Sequence, residues 1–480
     1  MPPRSGVGEQ GEQEVGNLNG KRIAVKVGLA FAGCVLLVLA AVALRPLVGH
    51  GGSGSPAEPV SGPPVGLEPV ATPSVAGPVP RGSGSGTADD VNGDGYADLV
   101  YAAPALGAPS ADGDDGRSAY LGVVYGSPRG LDPTTRTVIE PEDTRLPPYL
   151  APGTLPTADL DGDGFADILA GGHVVWGGPT GPRDSVPAAE LGGVPGDFDG
   201  DGRQDLAVTE AVGEKYDEQY QLRVLYGPFT REGKPRRTGA ARPSPVAEAG
   251  LGYEDADFSL TAGDADGDRA TDLVVTAHGD DEQEPAVLLH GGEGPGGFAV
   301  RASYLRTGSS VAFGDFDGDG KGDVAVGDNG TRNGEPGADA QDPAVHDTVT
   351  VHYGGNRPDK RLKPGASGDY LTEDIDDDGR DELLISVEGG VRILRGSADG
   401  LSTDKAATVR RDGAGEEVPA AERSARFTTV RDFDRDGRAE VVFGWSPVGE
   451  RGGSTGPSRW WVLEGGTDTV TAFTDAKFFD

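Results

Sequence analysis

The chain has 480 residues, 80 of them glycine and 37 proline, and is 36% hydrophobic, a balance that fits an all-β, turn-rich repeat fold. Its formal charge of -36 excludes a general nucleic-acid binder, because phosphate backbones need Lys and Arg on the contacting face. The single cysteine, Cys34, excludes an intramolecular disulfide, so stability outside the cell must come from elsewhere.

Residues 1–20 read as a disordered cytoplasmic tail, and 21–45 as a transmembrane anchor or a signal sequence. Val27 to Leu44 is 18 residues without a charge, preceded by Lys21, Arg22 and Lys26, and is just long enough to span a bilayer. A cleaved secretory signal is the rival, since Ala41-Val42-Ala43 resembles a small-residue cleavage site; a lipoprotein site at Cys34 fits less well because the apolar run continues past it. We read the segment as an uncleaved membrane helix, because the run exceeds a usual signal core and a polar stretch precedes it. The basic flank places the amino-terminal side in the cytoplasm and the rest outside the cell. Residues 46–86, rich in Gly, Pro, Ser and Val, read as a disordered tether.

From residue 87 onward one unit repeats seven times. Its clearest copy is FGDFDGDGKGDVAVG, Phe313 to Gly327, which sets acids at positions 1, 3, 5 and 9 of a loop between two short apolar runs. Oxygens on alternate residues of a tightly curled backbone converge on one point, and position 7 can add its carbonyl, which suits a hard cation such as calcium. The first loop offers Asp90, Asn92, Asp94 and Asp98 with Tyr96 at position 7, and the second Asp159, Asp161, Asp163 and Asp167 with Phe165. The third offers Asp197, Asp199, Asp201 and Asp205 with Arg203, and the fourth Asp264, Asp266, Asp268 and Asp272. The fifth offers Asp315, Asp317, Asp319 and Asp323 with Lys321, and the sixth Asp374, Asp376, Asp378 and Glu382 with Arg380. The seventh offers Asp432, Asp434, Asp436 and Glu440 with Arg438. Together these positions take 27 of the 78 acidic residues, so the acidity has a local cause. Two carboxylates about 5 Å apart repel by roughly 3 kcal/mol at an effective dielectric of about 20, so the ion is structural and stands in for the missing disulfides. Single turns rich in Asp, Asn and Gly cap their own backbone without metal, but seven copies with fixed offsets do not need that reading. An EF-hand is excluded because position 12 is a strand residue every time.

Between the loops recurs an apolar strand ending in glycine, as in Val123-Val124-Tyr125-Gly126, Val174-Val175-Trp176-Gly177 and Val351-His352-Tyr353-Gly354. Each repeat therefore supplies a strand before the loop, one after it, the strand ending in glycine, and a fourth beyond the turn, which makes one antiparallel propeller blade. The expected fold is a seven-bladed β-propeller over 87–480.

The phrases VAFGDFDGDGKGDVAVG and DVNGDGYADLVYAAP resemble the FG-GAP repeats of the integrin α-subunit propeller and of bacterial VCBS-type repeat proteins. The resemblance implies calcium in blade hairpins, up to seven ions, and a role in adhesion or recognition. Arg269 replaces the position-6 glycine of the fourth loop and leaves that site in question; Glu382 and Glu440 replace the last aspartate in two others, and Arg435 sits inside the seventh.

Chemistry is harder to find. Gly452 to Gly456 matches a nucleophile-elbow pattern without the strand and helix it requires, and His50, His173, His278, His290, His346 and His352 form no zinc-ligand spacing. Trp176 shares a repeat position with Tyr125, Tyr226 and Tyr353 and reads as core, while Trp445 follows a strand end and could reach a loop surface. The reading is a membrane-tethered extracellular recognition module without catalysis of its own, with a propeller lectin or polysaccharide hydrolase or lyase as the alternative. Strand parity puts the connections from the second to the third strand on the face opposite the metal loops: Ala103–Ala119, Thr209–Gln221, Ala277–Pro285, Asp328–Asp347 and Trp445–Ser458. Those are expected to be irregular segments that carry an extracellular protein or glycan ligand, cationic or polyhydroxylated to match acids such as Asp114, Glu218 and Asp281.

Overall fold

The computed structural model describes residues 73–104, 119–141, 143–147, 150–188, 191–214, 217–248, 258–277, 283–292, 297–332, 345–411, 424–447, 456–465 and 468–478. The expected tail and membrane segment, 1–45, lie outside them, as do tether residues 46–72. Among the described residues no helix is long and apolar enough to cross a membrane.

Seven antiparallel sheets follow one another along the chain. Blade 1 holds β1 (Leu99–Pro104), β2 (Ala119–Val124), β3 (Arg136–Ile139) and β4 (Gly153–Thr154). Blade 2 holds β5 (Thr157–Ala158), β6 (Asp167–Leu169), β7 (His173–Val175) and β8 (Ser185–Pro187). In blade 3, β9 (Gly193–Gly196), β10 (Asp205–Glu214) and β11 (Asp217–Tyr226) are followed by a divided outer strand, β12 (Arg237–Thr238) and β13 (Arg242–Pro243), and by a single helical turn, Pro245–Glu248. Blade 4 is β14 (Phe258–Gly263), β15 (Asp272–Ala277), β16 (Pro285–Gly291) and β17 (Phe298–Thr307). Blade 5 is β18 (Ser310–Gly314), β19 (Asp323–Gly327), β20 (Val349–His352) and β21 (Lys360–Leu362). Next come β22 (Tyr370–Glu373), β23 (Glu382–Val387), β24 (Gly390–Arg395) and β25 (Ser402–Arg410) of blade 6. Blade 7 ends the series with β26 (Arg426–Arg431), β27 (Glu440–Trp445), β28 (Arg459–Glu464) and β29 (Asp468–Thr474).

The second strand of a blade is covered on both faces by its neighbours, which is why it reads as an unbroken apolar run: β1, β15 and β19 are buried along their whole length. Outer strands such as β25 are only partly covered. Seven apolar cores result, each drawing side chains from two adjacent blades, and one of them joins blade 7 to blade 1. The ring therefore closes without a gap, and the fold is an all-β seven-bladed propeller of four-stranded antiparallel blades.

Two local expectations differ from what forms. In blade 1 the strand expected before the loop is absent, and its place beside β1 is taken by β4, which arrives after the outermost strand. The cause is composition: Gly84 to Asp89 offers only the small side chain of Ala88 to bury. Instead, residues 73–86 lie along blade 1, with the N–H groups of Ser83 and Gly84 donating to Gly93 O and that of Ser85 to Gly164 O. Second, Thr209 to Gln221 is not an irregular loop. It is most of a two-stranded ribbon in which β10 and β11 pair from Leu206↔Leu225 to Glu214↔Asp217. Because β9 pairs β10 only as far as Val208, the ribbon runs beyond the sheet.

Candidate metal centre

Every loop is closed by its position-1 carboxylate. Asp315 Oδ1 accepts from the N–H of Gly318 (2.8 Å) and Asp319 (3.1 Å), and its Oδ2 from Gly320 (2.9 Å). Asp317 Oδ1 then accepts from Asp319 N–H and Asp319 Oδ1 from Lys321 N–H. The same bonds recur around Asp90 and Asp159, and those from positions 5 and 6 around Asp374. This curl needs positive φ at two positions, 4 and 6, of which sequence reasoning marked only the second. Position 4 is glycine five times, at φ 69 to 78°, but Asp377 (58°) and Arg435 (61°) adopt it in the last two loops. Arg269 takes position 6 at φ 77°, and its N–H still reaches Asp264 Oδ2 at 3.1 Å. The substitution thus strains the fourth loop without unfolding its turn.

Position 9 is the fixed corner. Asp323 is 1% exposed, its Oδ2 accepting from Phe316 N–H and its Oδ1 from the N–H of Gly354, both at 3.1 Å. That glycine is the one ending the apolar strand, and Gly126, Gly177, Gly227, Gly291 and Gly396 donate in the same way to Asp98, Asp167, Asp205, Asp272 and Glu382. Burial is the main force on these acids: it pushes Asp98 well above the usual carboxylate range, Asp167 and Glu440 to about 8, and Asp205, Asp323 and Glu382 to about 7, against the opposing pull of the N–H bonds.

Such corners favour a cation. Oxygens of Asp159, Asp161 and Asp167 lie within 4.8 Å of one another, as do those of Asp197, Asp199 and Asp205 and those of Asp264, Asp266 and Asp268. Asp199 Oδ1 is shielded from solvent and has no hydrogen-bond donor among the described residues. An all-oxygen set of this kind, with one shielded acceptor left without a donor, fits a hard divalent ion.

Surrounding side chains make the loops unlike one another. Arg231 reaches Asp161 and Asp163 (2.5 Å each), Arg237 Asp199 (3.2 Å), Arg236 Asp201 (2.8 Å) and Arg357 Asp317 (2.7 Å). Three of these guanidinium groups lie over the aromatic residue preceding the strand-ending glycine, at Trp176, Tyr226 and Tyr353. Arg395 joins Asp376 to Glu382 in the sixth loop. Pairs with an arginine this exposed to solvent are weak, so an arginine resting on a loop is displaceable.

The loops also bond to each other. Ala166 N–H donates to Asp90 O (2.9 Å), Thr271 to Asp197 O (2.7 Å), Asp381 to Asp315 O (3.0 Å) and Ala439 to Asp374 O (3.0 Å). In each case position 8 of one loop donates to position 1 of the loop before it, which stitches four of the seven pairs of neighbouring loops into a belt on one face. Sequence reasoning missed this stitching, for which no side chain is responsible. On other residues singled out, Trp176, Trp460 and Trp461 are buried, His352 bonds Asp359 (2.9 Å), and Gly452 to Thr455 lie outside the described residues.

Residues 264–326, spanning the fourth and fifth loops, match the FG-GAP-like repeat family. No curated protein matches the sequence. Among solved structures, an Agrocybe aegerita lectin described for recognition of non-reducing terminal N-acetylglucosamine is 13% identical, with 67% of this chain and 83% of that chain covered at a TM-score of 0.35. BBS1N in complex with ARL6DN is 14% identical, covering 62% and 89% at 0.32. The V. cholerae biofilm matrix protein Bap1 is 12% identical, covering 80% and 81% at 0.23. With seven blades turning on one acidic loop and a family match across two of those loops, the chain fits an FG-GAP repeat propeller.

Proposed function

We propose that the chain is a membrane-tethered, extracellular recognition module whose propeller is held by calcium and whose ligand, a protein or glycan, is met by the face opposite the metal loops. The observation that carries this reading is the belt: loop carbonyls and N–H groups are spent on neighbouring blades, and the loop carboxylates converge inward, so that face is committed to holding the ring. Calcium, when bound, supplies the positive charge that lets the buried position-9 carboxylates remain ionised. The ion would be held by the acids at positions 1, 3, 5 and 9, with the position-7 carbonyl. Opposite the belt, the β10–β11 ribbon offers an extended edge, and Val212 is exposed on it. A catalytic role forms no part of this reading.

Two experiments test it. In intact cells, external protease should remove an epitope on the propeller and spare one at the amino terminus; a processed chain in the medium would instead mean a cleaved signal. The calcium-loaded chain should then be applied to a glycan array and to a display library of extracellular proteins. Replacing residues 211–220 by Asn-Gly, which closes Glu210 onto Gln221 as a two-residue hairpin, should abolish any binding found while calcium stoichiometry holds. Binding that survives this trimming, and is lost on altering the loop face, would reverse the assignment of faces.

A further inference from the structure

The fourth loop carries a side chain that no other loop has. Where blades 2, 3 and 5 place Trp176, Tyr226 and Tyr353 before the strand-ending glycine, blade 4 places His290 at the end of β16. Its Nδ1 lies 3.3 Å from Asp266 Oδ2 and 3.5 Å from Asp272 Oδ2. That nitrogen is shielded from solvent and has no hydrogen-bond partner among the described residues, so the pair of carboxylates surrounds it without satisfying it. Asp272 is 1% exposed and cannot swing away, because Ala265 N–H holds its Oδ2 at 2.9 Å and Gly291 N–H its Oδ1 at 2.8 Å. Asp266 uses Oδ1 for Asp268 N–H, which leaves its Oδ2 for the site.

The spacing itself is informative. Three ligands at zinc bond lengths of about 2.0 to 2.1 Å occupy corners of a tetrahedron whose edges are about 3.3 to 3.4 Å. Both separations from Nδ1 fall within about 0.2 Å of that edge. Imidazole is a borderline ligand suited to zinc, copper or nickel, whereas calcium takes oxygen. We propose that Asp266, Asp272 and His290 form a three-ligand site for a divalent transition metal of the zinc class, with water completing the tetrahedron. The site takes Asp266 and Asp272 from the fourth loop's calcium set, so zinc would replace calcium in that loop alone, and it needs no ion in the other loops.

The test uses the full chain and zinc alone as probe, titrated calorimetrically in saturating calcium, with cobalt absorption as a second reading of four-coordinate geometry. Parent protein should bind one zinc that calcium does not displace. His290→Tyr, which restores the residue type of three other blades, should weaken that zinc by more than about tenfold while leaving the melting temperature and calcium stoichiometry in place. His290→Asn should do the same, and His346→Ala should leave the zinc unchanged. The proposal is overturned if His290→Tyr binds zinc as the parent does, if calcium displaces the zinc from both, or if only His346→Ala loses it. Calcium stoichiometry is measured separately, so a failure of the calcium reading with zinc retained is a distinct result.

Discussion

Gly354→Ala should be among the most damaging conservative changes in the propeller, because that residue touches two loops at once. A Cβ there would stand 2.1 Å from Ala265 O and 2.2 Å from Gly322 O, which are backbone atoms of the fourth and fifth loops and cannot rotate aside. Relieving such overlap costs about 1 to 3 kcal/mol in a packed interior. Moving Gly354 also strips its N–H from the buried Asp323 Oδ1, for about 1 to 3 kcal/mol more. Taking about 4 kcal/mol in all, and about 2.1 cal/mol/K of unfolding entropy per residue over a propeller of roughly 400 residues, the melting temperature should fall by about 5 °C. Gly365→Ala is the comparison. It has φ 67° but nothing within 4 Å of a Cβ, so it carries only the backbone strain of about 1 kcal/mol and a shift of about 1 °C. Calorimetric melts of both variants in calcium decide the matter: equal shifts would refute the claim that close approach of two loops dictates the glycine.

Calcium removal should matter more than any single substitution: EDTA should lower the melting temperature by many degrees, and an unchanged melt with no calcium by elemental analysis would dismiss a structural ion. In EDTA the stability of the propeller should fall as pH rises from about 4 to 8, because the buried position-9 acids bind protons in the folded state at pH values where the unfolded chain has released them. Denaturation midpoints at pH 5 and pH 8 check the sign, and calcium should flatten the slope; greater apo stability at pH 8 would count against it. Arg269→Gly should raise calcium affinity at the fourth loop by removing both a strained φ and a nearby positive charge, and titration curves that superimpose on the parent would clear Arg269 of blame.

How much of this was legible follows from what sequence records. Period and offset are written in the chain, so seven copies of an acidic loop between apolar runs are enough to read the blade number and, outside blade 1, the strand order. Backbone demands are written only where glycine is used. Position 4 escaped notice because Asp377 and Arg435 occupy it despite φ near 60°. The partners of position 9 were hidden for a different reason: the recurring strand-ending glycine was visible, but its purpose is an N–H and a missing Cβ, and neither leaves a side-chain signature. The neighbourhood of His290 is not legible in the chain because no other histidine or cysteine stands at a zinc-ligand spacing from it, and the two carboxylates beside it lie 18 and 24 residues upstream. The ribbon was misread because Glu214 to Gln219 is so polar that strand pairing has no apolar alternation to betray it.

The unusual blade 1 explains how the ring holds without an exchange of strands between its first and last blades. Since β4 fills the inner place, blade 1 is completed from within its own repeat, and blade 7 is likewise complete in β26 to β29. The seam between them must then be carried by side chains, and it is the most aromatic of the seven. Tyr101 meets Trp460 at 4.7 Å and Tyr120 at 5.9 Å, and Phe473 stacks on Trp460 at 5.2 Å. Tyr120 donates to Asp475 Oδ2 (2.8 Å), whose Oδ1 accepts Ser458 N–H (2.7 Å). Arg431 of blade 7 bonds Asp89 of blade 1 and Glu373 of blade 6, and Arg435 reaches Gly95 O. Arg136 adds a further clasp: it is 4% exposed, lies over the Phe478 ring at 4.3 Å, and donates to the carbonyls of Pro73, Ser74 and Lys477. A buried guanidinium held by these three carbonyls, by Pro133 O and by a ring draws residues 73–74 and 477–478 onto the same strand, β3, so both segments are fixed at one place. Tension applied at residue 73 would therefore be shared by blade 1, blade 7 and the seam between them.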